Sequence, residues 1–137
     1  MSAENLILNG DFSQGEKHWD IYKPIHNPKA KAEFRDGYCH VEWGVMVSQT
    51  VKLEIGKYRL SFESLFQEAS DSYVNLALEM TGYRQELTIQ RGGDYSHNAI
   101  EFEVTKVGDG EKDWFSLGLN GHQAGGKFRK IKLVQIS

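Results

Sequence analysis

Apolar and polar residues alternate in short segments along the chain, and Gly, Asp, Asn and Ser separate one segment from the next. A period of two sends successive side chains to opposite faces, so the pattern predicts half-buried β-strands rather than helices. It is clearest in YCHVEW (38–43), KYRLSFES (57–64), YVNLALEM (73–80), ELTI (86–89), AIEFEV (99–104) and WFSLGLN (114–120). No stretch keeps a helical period for three turns, and FQEASDS (66–72) reads as a loop or at most one helical turn. RDG (35–37), EIGK (54–57), RGGD (91–94), VGDG (107–110) and GHQAGG (121–126) place glycine where strand connections call for positive φ. Short strands at fairly even spacing, with no repeat and no linker, predict one all-β domain over residues 1–137. The expected architecture is an antiparallel jelly-roll β-sandwich, with a lipocalin-like barrel as the alternative.

The same alternation sorts each strand into an inner and an outer face. Val74, Leu76, Leu78 and Met80 share the core side of one strand, Phe115, Leu117 and Leu119 that of a second, and Tyr58, Leu60 and Phe62 that of a third. AIEFEV has the outer face of a plain solvated strand, with Glu101 and Glu103 opposite Ile100, Phe102 and Val104. The other three outer faces differ: they mix the small residues Ser61, Ala77, Ser116 and Gly118 with aromatic and hydrogen-bonding side chains. Small residues edged by polar groups form a shallow trough, and such a surface suits a sugar. An aromatic ring covers the apolar face of the pyranose while amides, carboxylates and guanidinium groups take the hydroxyls. Trp114 and Tyr73 are the expected stacking platforms, and Arg59, Glu63, Asn75, Glu79 and Asn120 the expected hydroxyl partners. The alternative is a strand-edge Trp114 covered by a neighbouring loop with Tyr73 packed on it. A rival site gathers Tyr22, Tyr83 and Tyr95 with NGHQAGG (120–126) at the tip of the sandwich.

Charge and composition narrow the picture. With 39% hydrophobic and 26% charged residues the chain is neither disordered nor fibrous, and no apolar run approaches the ~20 residues of a spanning helix. A net charge of −3 supplies no clustered basic field, so nucleic acid is not an expected partner. The locally basic KFRKIK (127–132) reads as outward Lys and Arg that discourage edge-to-edge pairing of a terminal strand. Cys39 is the single cysteine and sits in an alternating strand, where a buried thiol behaves as a small apolar group. MSAENLILNG has neither a basic region nor a long apolar run, so it is not expected to be a secretory leader, and the compartment stays open.

No nucleophile elbow, phosphate loop or zinc-ligand spacing occurs, and His18, His26, His40, His97 and His122 are scattered. Glu63 and Glu79 could share the trough, where facing carboxylates either accept sugar hydroxyls or act as a glycosidase pair. The expectation is binding without catalysis.

NLILNGDFSQGEKHW (5–19) resembles the N-terminal motif of carbohydrate-binding modules of the family 4, 9 and 22 type, matched at Asn5, Leu6, Asn9, Gly10, Phe12, Gly15 and Trp19. VSQTVKLEIGKYRLSF (47–62) and the closing GGKFRKIKLVQIS (125–137) are similar to two further pieces of that pattern, so the resemblance spans the chain. It implies a galactose-binding-like jelly roll, non-catalytic, holding a glycan on a concave sheet face, and it adds Gln49 to the ligand contacts. Alternation by itself places Gln49 with Val47 and Val51. In the motif Leu6, Leu8 and Phe12 read as strand and core residues and Asn9-Gly10 as a turn, while Trp19 and Trp43 read as core.

The family's structural calcium uses a Glu after the motif Phe and acidic residues in the closing strand; here Ser13 follows Phe12 and Arg129-Lys130 stand in the closing strand. Two cations repel a third, so the resemblance implies that this calcium is lost, with Arg129 or Lys130 supplying a salt bridge in its place. No cofactor is expected. Two other readings of the fold remain: a protein-interaction or surface-assembly module whose trough takes a loop, and a small-molecule cyclase with an apolar pocket and calcium.

Overall fold

The computed structural model describes residues 4–23, 25, 29–35, 37–42, 44–65, 73–78, 83–88, 94–105, 113–120 and 126–137. Ten strands run in the order β1 (Asp20–Tyr22), β2 (Ala32–Arg35), β3 (Tyr38–Val41), β4 (Met46–Leu53), β5 (Gly56–Leu65), β6 (Tyr73–Leu78), β7 (Tyr83–Thr88), β8 (Ser96–Val104), β9 (Asp113–Asn120) and β10 (Gly126–Gln135). They form two five-stranded antiparallel sheets, the first ordered β1-β4-β9-β6-β7 and the second β2-β3-β10-β5-β8. The chain is an all-β jelly-roll sandwich, and the lipocalin-like barrel is set aside because the strands close into two separate sheets. The six strands expected from alternation are all present as β3 and β5 to β9. Glu79, Met80, Trp43 and the segment 66–72 lie outside the described residues.

Between the sheets lies the core that alternation predicts. Val74, Leu76, Phe115, Leu117, Leu119, Tyr58, Leu60, Phe62 and Val104 are buried, joined by Cys39, Val41, Val47, Phe128 and Leu133. Burial pushes the Cys39 thiol up to about 12, which keeps it protonated and inert. Phe102 bridges the layers by stacking on Tyr58 at 5.7 Å and on Phe115 at 5.2 Å between centroids. Ile100 and Phe102 are only half-buried because β8 is the edge of its sheet.

The N-terminal motif is not a strand. Its backbone turns repeatedly, with Asn9 and Phe12 at φ of 56° and 57°. Asn5 reaches β10 with both ends of its amide: Nδ2 donates to the Ile131 carbonyl at 3.0 Å, and Oδ1 accepts from the Leu133 N–H at 2.9 Å. The N–H groups of Leu6 and Ile131 donate to the carbonyls of Leu133 and Gly10, so the segment takes over the edge of β10 that β3 occupies at Gly126–Phe128. Here β10 carries a register break between Arg129 and Lys132, and Lys130 has a φ of 55°. Phe12 and Trp19 then turn into the core with ring centroids 5.2 Å apart, and Trp19 Nε1 donates to the Asn9 carbonyl. One detail differs from the motif reading: Ile7 is buried, whereas Leu8 is 51% exposed, because the turning backbone breaks strand alternation.

Gly10 is fixed by close approach. A Cβ there would collide with the Ile131 carbonyl oxygen, a backbone atom that cannot swing away. Gly10→Ala is expected to cost about 1–3 kcal/mol, the range for an inserted methyl group that forces backbone shifts, as read by urea unfolding. A loss within ~0.5 kcal/mol, as for an ordinary surface change, would count against this packing.

Candidate functional site

The outer face of the first sheet is built in rows by its register. Tyr22 pairs with Met46 and Met46 with Asn120. The next row runs Asp20, Ser48, Gly118, Asn75 and Glu86 across all five strands. Thr50, Ser116, Ala77 and Arg84 form the third, and Lys52 with Trp114 the fourth. From the Tyr22 row to the Trp114 row the face extends six residues along β4, about 20 Å at ~3.3 Å per residue.

The middle rows enclose an open trough of about 450 Å³ whose lining includes Met46, Ser48, Asn75, Arg84, Glu86, Ser116 and Gly118. Its depth comes from what β9 lacks. Gly118 has no side chain, and a Cβ there would lie 2.8 Å from Met46 Sδ and 3.6 Å from the Asn75 Cβ. Ser48 and Ser116 are equally short, so the hydroxyls and the Asn75 amide lie at the floor while Arg84 and Glu86 rise from the edge strand. Trp114 is 43% exposed, and the Lys52 ammonium sits 4.6 Å from its ring centroid. Trp114 is therefore an outward aromatic at one end of the face. Tyr22, expected at the sandwich tip, instead stands 57% exposed on β1 beside Met46 at the other end.

The structure divides the sequence-expected site. Trp114 and Asn75 share the first sheet's outer face, and Tyr73 and Asn120 occupy outward register positions on β6 and β9. Arg59 and Glu63 do not join them: β5 belongs to the second sheet, so its outer face looks away from the trough. Alternation tells which side of a strand is outward but not which sheet the strand enters. Arg59 pairs with Glu101 at 2.6 Å. Gln49 is also corrected. It is 4% exposed and turned inward, accepting from the Leu8 N–H at 2.7 Å and donating to the Leu8 carbonyl at 2.9 Å, so its amide is a tether for the N-terminal segment. Ser48, Met46, Arg84 and Glu86 are trough residues that the sequence pattern did not single out. Ser48 was legible as the alternation partner of Gln49, whereas Arg84 and Glu86 required the β6–β7 pairing.

On the second sheet's outer face, Glu63 accepts from Arg129 Nε at 2.6 Å and lies 3.8 Å from Lys130 Nζ. The Arg129 guanidinium stacks on Tyr95, 3.6 Å from the ring centroid, which places Tyr95 on this face rather than at the tip. The hydrogen bond from Arg129, with the charges of Arg129, Lys130 and His97, holds the Glu63 carboxyl below the ordinary carboxylate range. Glu63 is thus an ion-paired strand residue on the sheet opposite the trough, while Glu79, its expected partner there, lies outside the described residues.

The positions that the resemblance links to a structural calcium carry side chains ill-suited to that ion. A cleft of about 600 Å³ between the N-terminal segment and β10 is lined by Asn5, Asn9, Asp11, Ser13, Lys130 and Lys132 among others. Among the described residues Asp11 is its one carboxylate, and the hydrogen bonds from Ser13 hold it below its usual range. The two lysines oppose a hard dication that wants six to eight oxygen ligands. The salt bridge of Arg129 ties β10 to β5, and the tie from the N-terminal segment to β10 is the Asn5 amide instead. Among the described residues no group of three or more His, Cys, Asp or Glu could hold a metal.

No family model matches the chain, and no curated protein matches it. Solved structures do. The module TmCBM61, in complex with β-1,4-galactotriose, superposes with a TM-score of 0.72 at 14% identity, covering 97% of this chain and 99% of that one. The second N-terminal cellulose-binding domain of Cellulomonas fimi β-1,4-glucanase C gives 0.69 at 15% identity, covering 100% and 97%. The enzymatically active domain of tailspike protein 4 from bacteriophage CBA120 gives 0.70 at 10% identity, with the match covering 96% of this chain and 21% of that one. At these identities the likeness establishes the shared fold, which occurs both in sugar-binding modules and inside a larger enzyme.

Two outcomes follow from the geometry. Ionised Glu63 has its folded-state carboxyl lowered, so its contribution is present above the unfolded value and lost as pH falls through the folded one. The stability gap between the native chain and Glu63→Gln is expected to narrow steadily as pH drops from ~7 to ~3, read by urea unfolding at each pH. A gap that widens toward acid would refute the ion pair. Separately, a chelator is expected to leave the melting temperature unchanged and added calcium to raise it by less than ~1 °C, since an ion that binds only the folded state must stabilise it.

Proposed function

We propose that the chain binds an oligo- or polysaccharide along the outer face of the first sheet and performs no chemistry on it. The observation that carries this reading is the composition of the trough. A solvated sheet face of this size would carry long charged side chains, yet the floor here is Gly118, Ser48, Ser116 and Asn75. Short hydroxyl and amide groups at the floor suit a ligand that is itself covered in hydroxyls, because each can donate and accept. Arg84 and Glu86 at the rim offer charge-assisted hydrogen bonds.

Trp114 and Tyr22 at the two ends are exposed rings on the same face, and an aromatic face pairs with the C–H side of a pyranose. About 20 Å between the end rows leaves room for more than one sugar unit. Tyr73 and Asn120, at outward register positions, are assigned to the same surface; Glu79 is kept as a candidate hydroxyl acceptor on sequence grounds alone. The glycans named with the superposed modules, β-1,4-galactotriose and cellulose, support a β-linked chain as the ligand class.

The absence of catalysis is part of the proposal. It is supported by the removal of Glu63 from the trough and by the ionic pairing that keeps it a carboxylate. A glycosidase acid needs a raised carboxyl, the opposite of what Arg129 imposes.

A glycan array followed by tryptophan fluorescence titration tests this. Trp114→Ala is expected to weaken binding about tenfold, the loss of one stacking platform. Gly118→Leu should abolish it by filling the trough while the fold is retained, and Arg59→Ala on the opposite face should change nothing. An array without hits, or binding indifferent to Gly118→Leu, would sink the assignment.

A further inference from the structure

Four strands form the margins of the two sheets, and three of them are short or defended. β1 has three residues and β7 six, and β2 has four with Lys31, Glu33 and Arg35 in ion pairs along it. β8 is different. It runs nine residues, Ser96–Val104, and pairs with β5 through nine consecutive partners without a register break. Its sequence, SHNAIEFEV, contains no Pro, Lys or Gly, and among the described residues no strand pairs with its other side. A long, regular edge presents a row of backbone N–H and C=O groups on which another strand can add.

We infer that β8 is an association edge for a second copy of this chain, joining the second sheets of two molecules antiparallel into one continuous ten-stranded sheet. The strand's own charges select this occupant. Full overlap of the nine residues puts the two-fold axis at Ile100, the midpoint, so that residues whose numbers sum to 200 face each other. His97 then faces Glu103 of the second copy, and Glu103 faces its His97. Ala99 faces Glu101, leaving room for the Arg59 pair that already holds Glu101 at 2.6 Å. On the inner side Asn98 faces Phe102 and Ile100 faces itself.

A slip by one residue would set outer side chains against inner ones, and a shift to an axis at Glu101 would oppose like charges; both are disfavoured. The half-buried Ile100 and Phe102 would lose their remaining exposure. A cleft of about 240 Å³ lined by Lys57, Glu101, Phe102, Glu103 and Ile136 lies at the end where His97 of the second copy arrives. Since β8 belongs to the second sheet, pairing leaves the trough of the first sheet uncovered.

Two nine-residue edges make a narrow contact, so the dimer is of the weak, concentration-dependent class. Sedimentation velocity of the purified chain over increasing concentration should show a mass rising from one chain toward two. Glu103→Lys or His97→Glu should each raise the dissociation constant roughly fivefold, because the first removes the His97–Glu103 contact and the second sets two carboxylates across the edge, each twice by symmetry. The double variant His97→Glu with Glu103→Lys should restore association, since both cross-edge pairs are again opposite. Both substitutions are on exposed side chains, and near-ultraviolet circular dichroism checks that each of the three variants is folded. A chain that stays monomeric at every concentration, a dimer indifferent to both single changes, or a double variant no better than the singles would each overturn the proposal. The readout involves no sugar, so it stands or falls apart from the glycan-binding reading.

Discussion

The sandwich depends on one short segment that is neither strand nor helix. Residues 5–10 lie at the seam between the two sheets and are bonded to both: the Asn5 amide and the Gly10 carbonyl take backbone groups of β10 in the second sheet, while Leu8 is gripped by the Gln49 amide of β4 in the first. Each of these part-buried bonds satisfies a polar group of the segment or of its strand, and a net contribution of ~0.5–1.5 kcal/mol is typical for such a bond. With the segment held, Phe12 and Trp19 fill the space beneath it, and the register break of β10 is accommodated against Gly10. Gln49 is thus conscripted for architecture.

Holding β4 in this way also positions the outer face to which glycan binding is assigned as a proposal. Gln49 points in, so Ser48 and Thr50 point out, and the row through Ser48, Gly118, Asn75 and Glu86 sets the trough floor. The opposite face uses its polar residues on one another. Arg129 is shared between Glu63 and the ring of Tyr95, Lys127 lies over Tyr38, and Arg59 holds Glu101. A trough of short side chains and a face of mutually paired long ones are two ways of finishing a sheet. The first leaves hydrogen-bonding capacity for a ligand, and the second consumes it.

The two sheets differ again at their margins. Ion pairs along β2 and the brevity of β1 blunt those edges, whereas β8 keeps a full length of regular backbone whose two ends carry complementary groups. The two proposed recognition surfaces are therefore divided by geometry: a side-chain trough on one sheet and a backbone edge on the other.

The sequence by itself determined which residues face the core, because a period of two is a local property: Val74, Leu76, Phe115, Leu117, Tyr58, Leu60 and Phe62 are buried as alternation requires. It also determined the class of fold, since strand-length segments punctuated by turns leave little else. It marked Trp114 and Asn75 as outward for the same reason. Which outward residues meet was decided only by tertiary structure. Strand order is a matter of long-range pairing, and nothing within KYRLSFES says that β5 enters the second sheet and carries Arg59 and Glu63 away from the trough. Nor could the pattern show that the Gln49 amide would meet the backbone of Leu8, forty-one positions earlier, or that Tyr22 would stand beside Met46. Alternation assigns a residue to a side of its strand, and only the packing of sheets and segments decides what lies on that side.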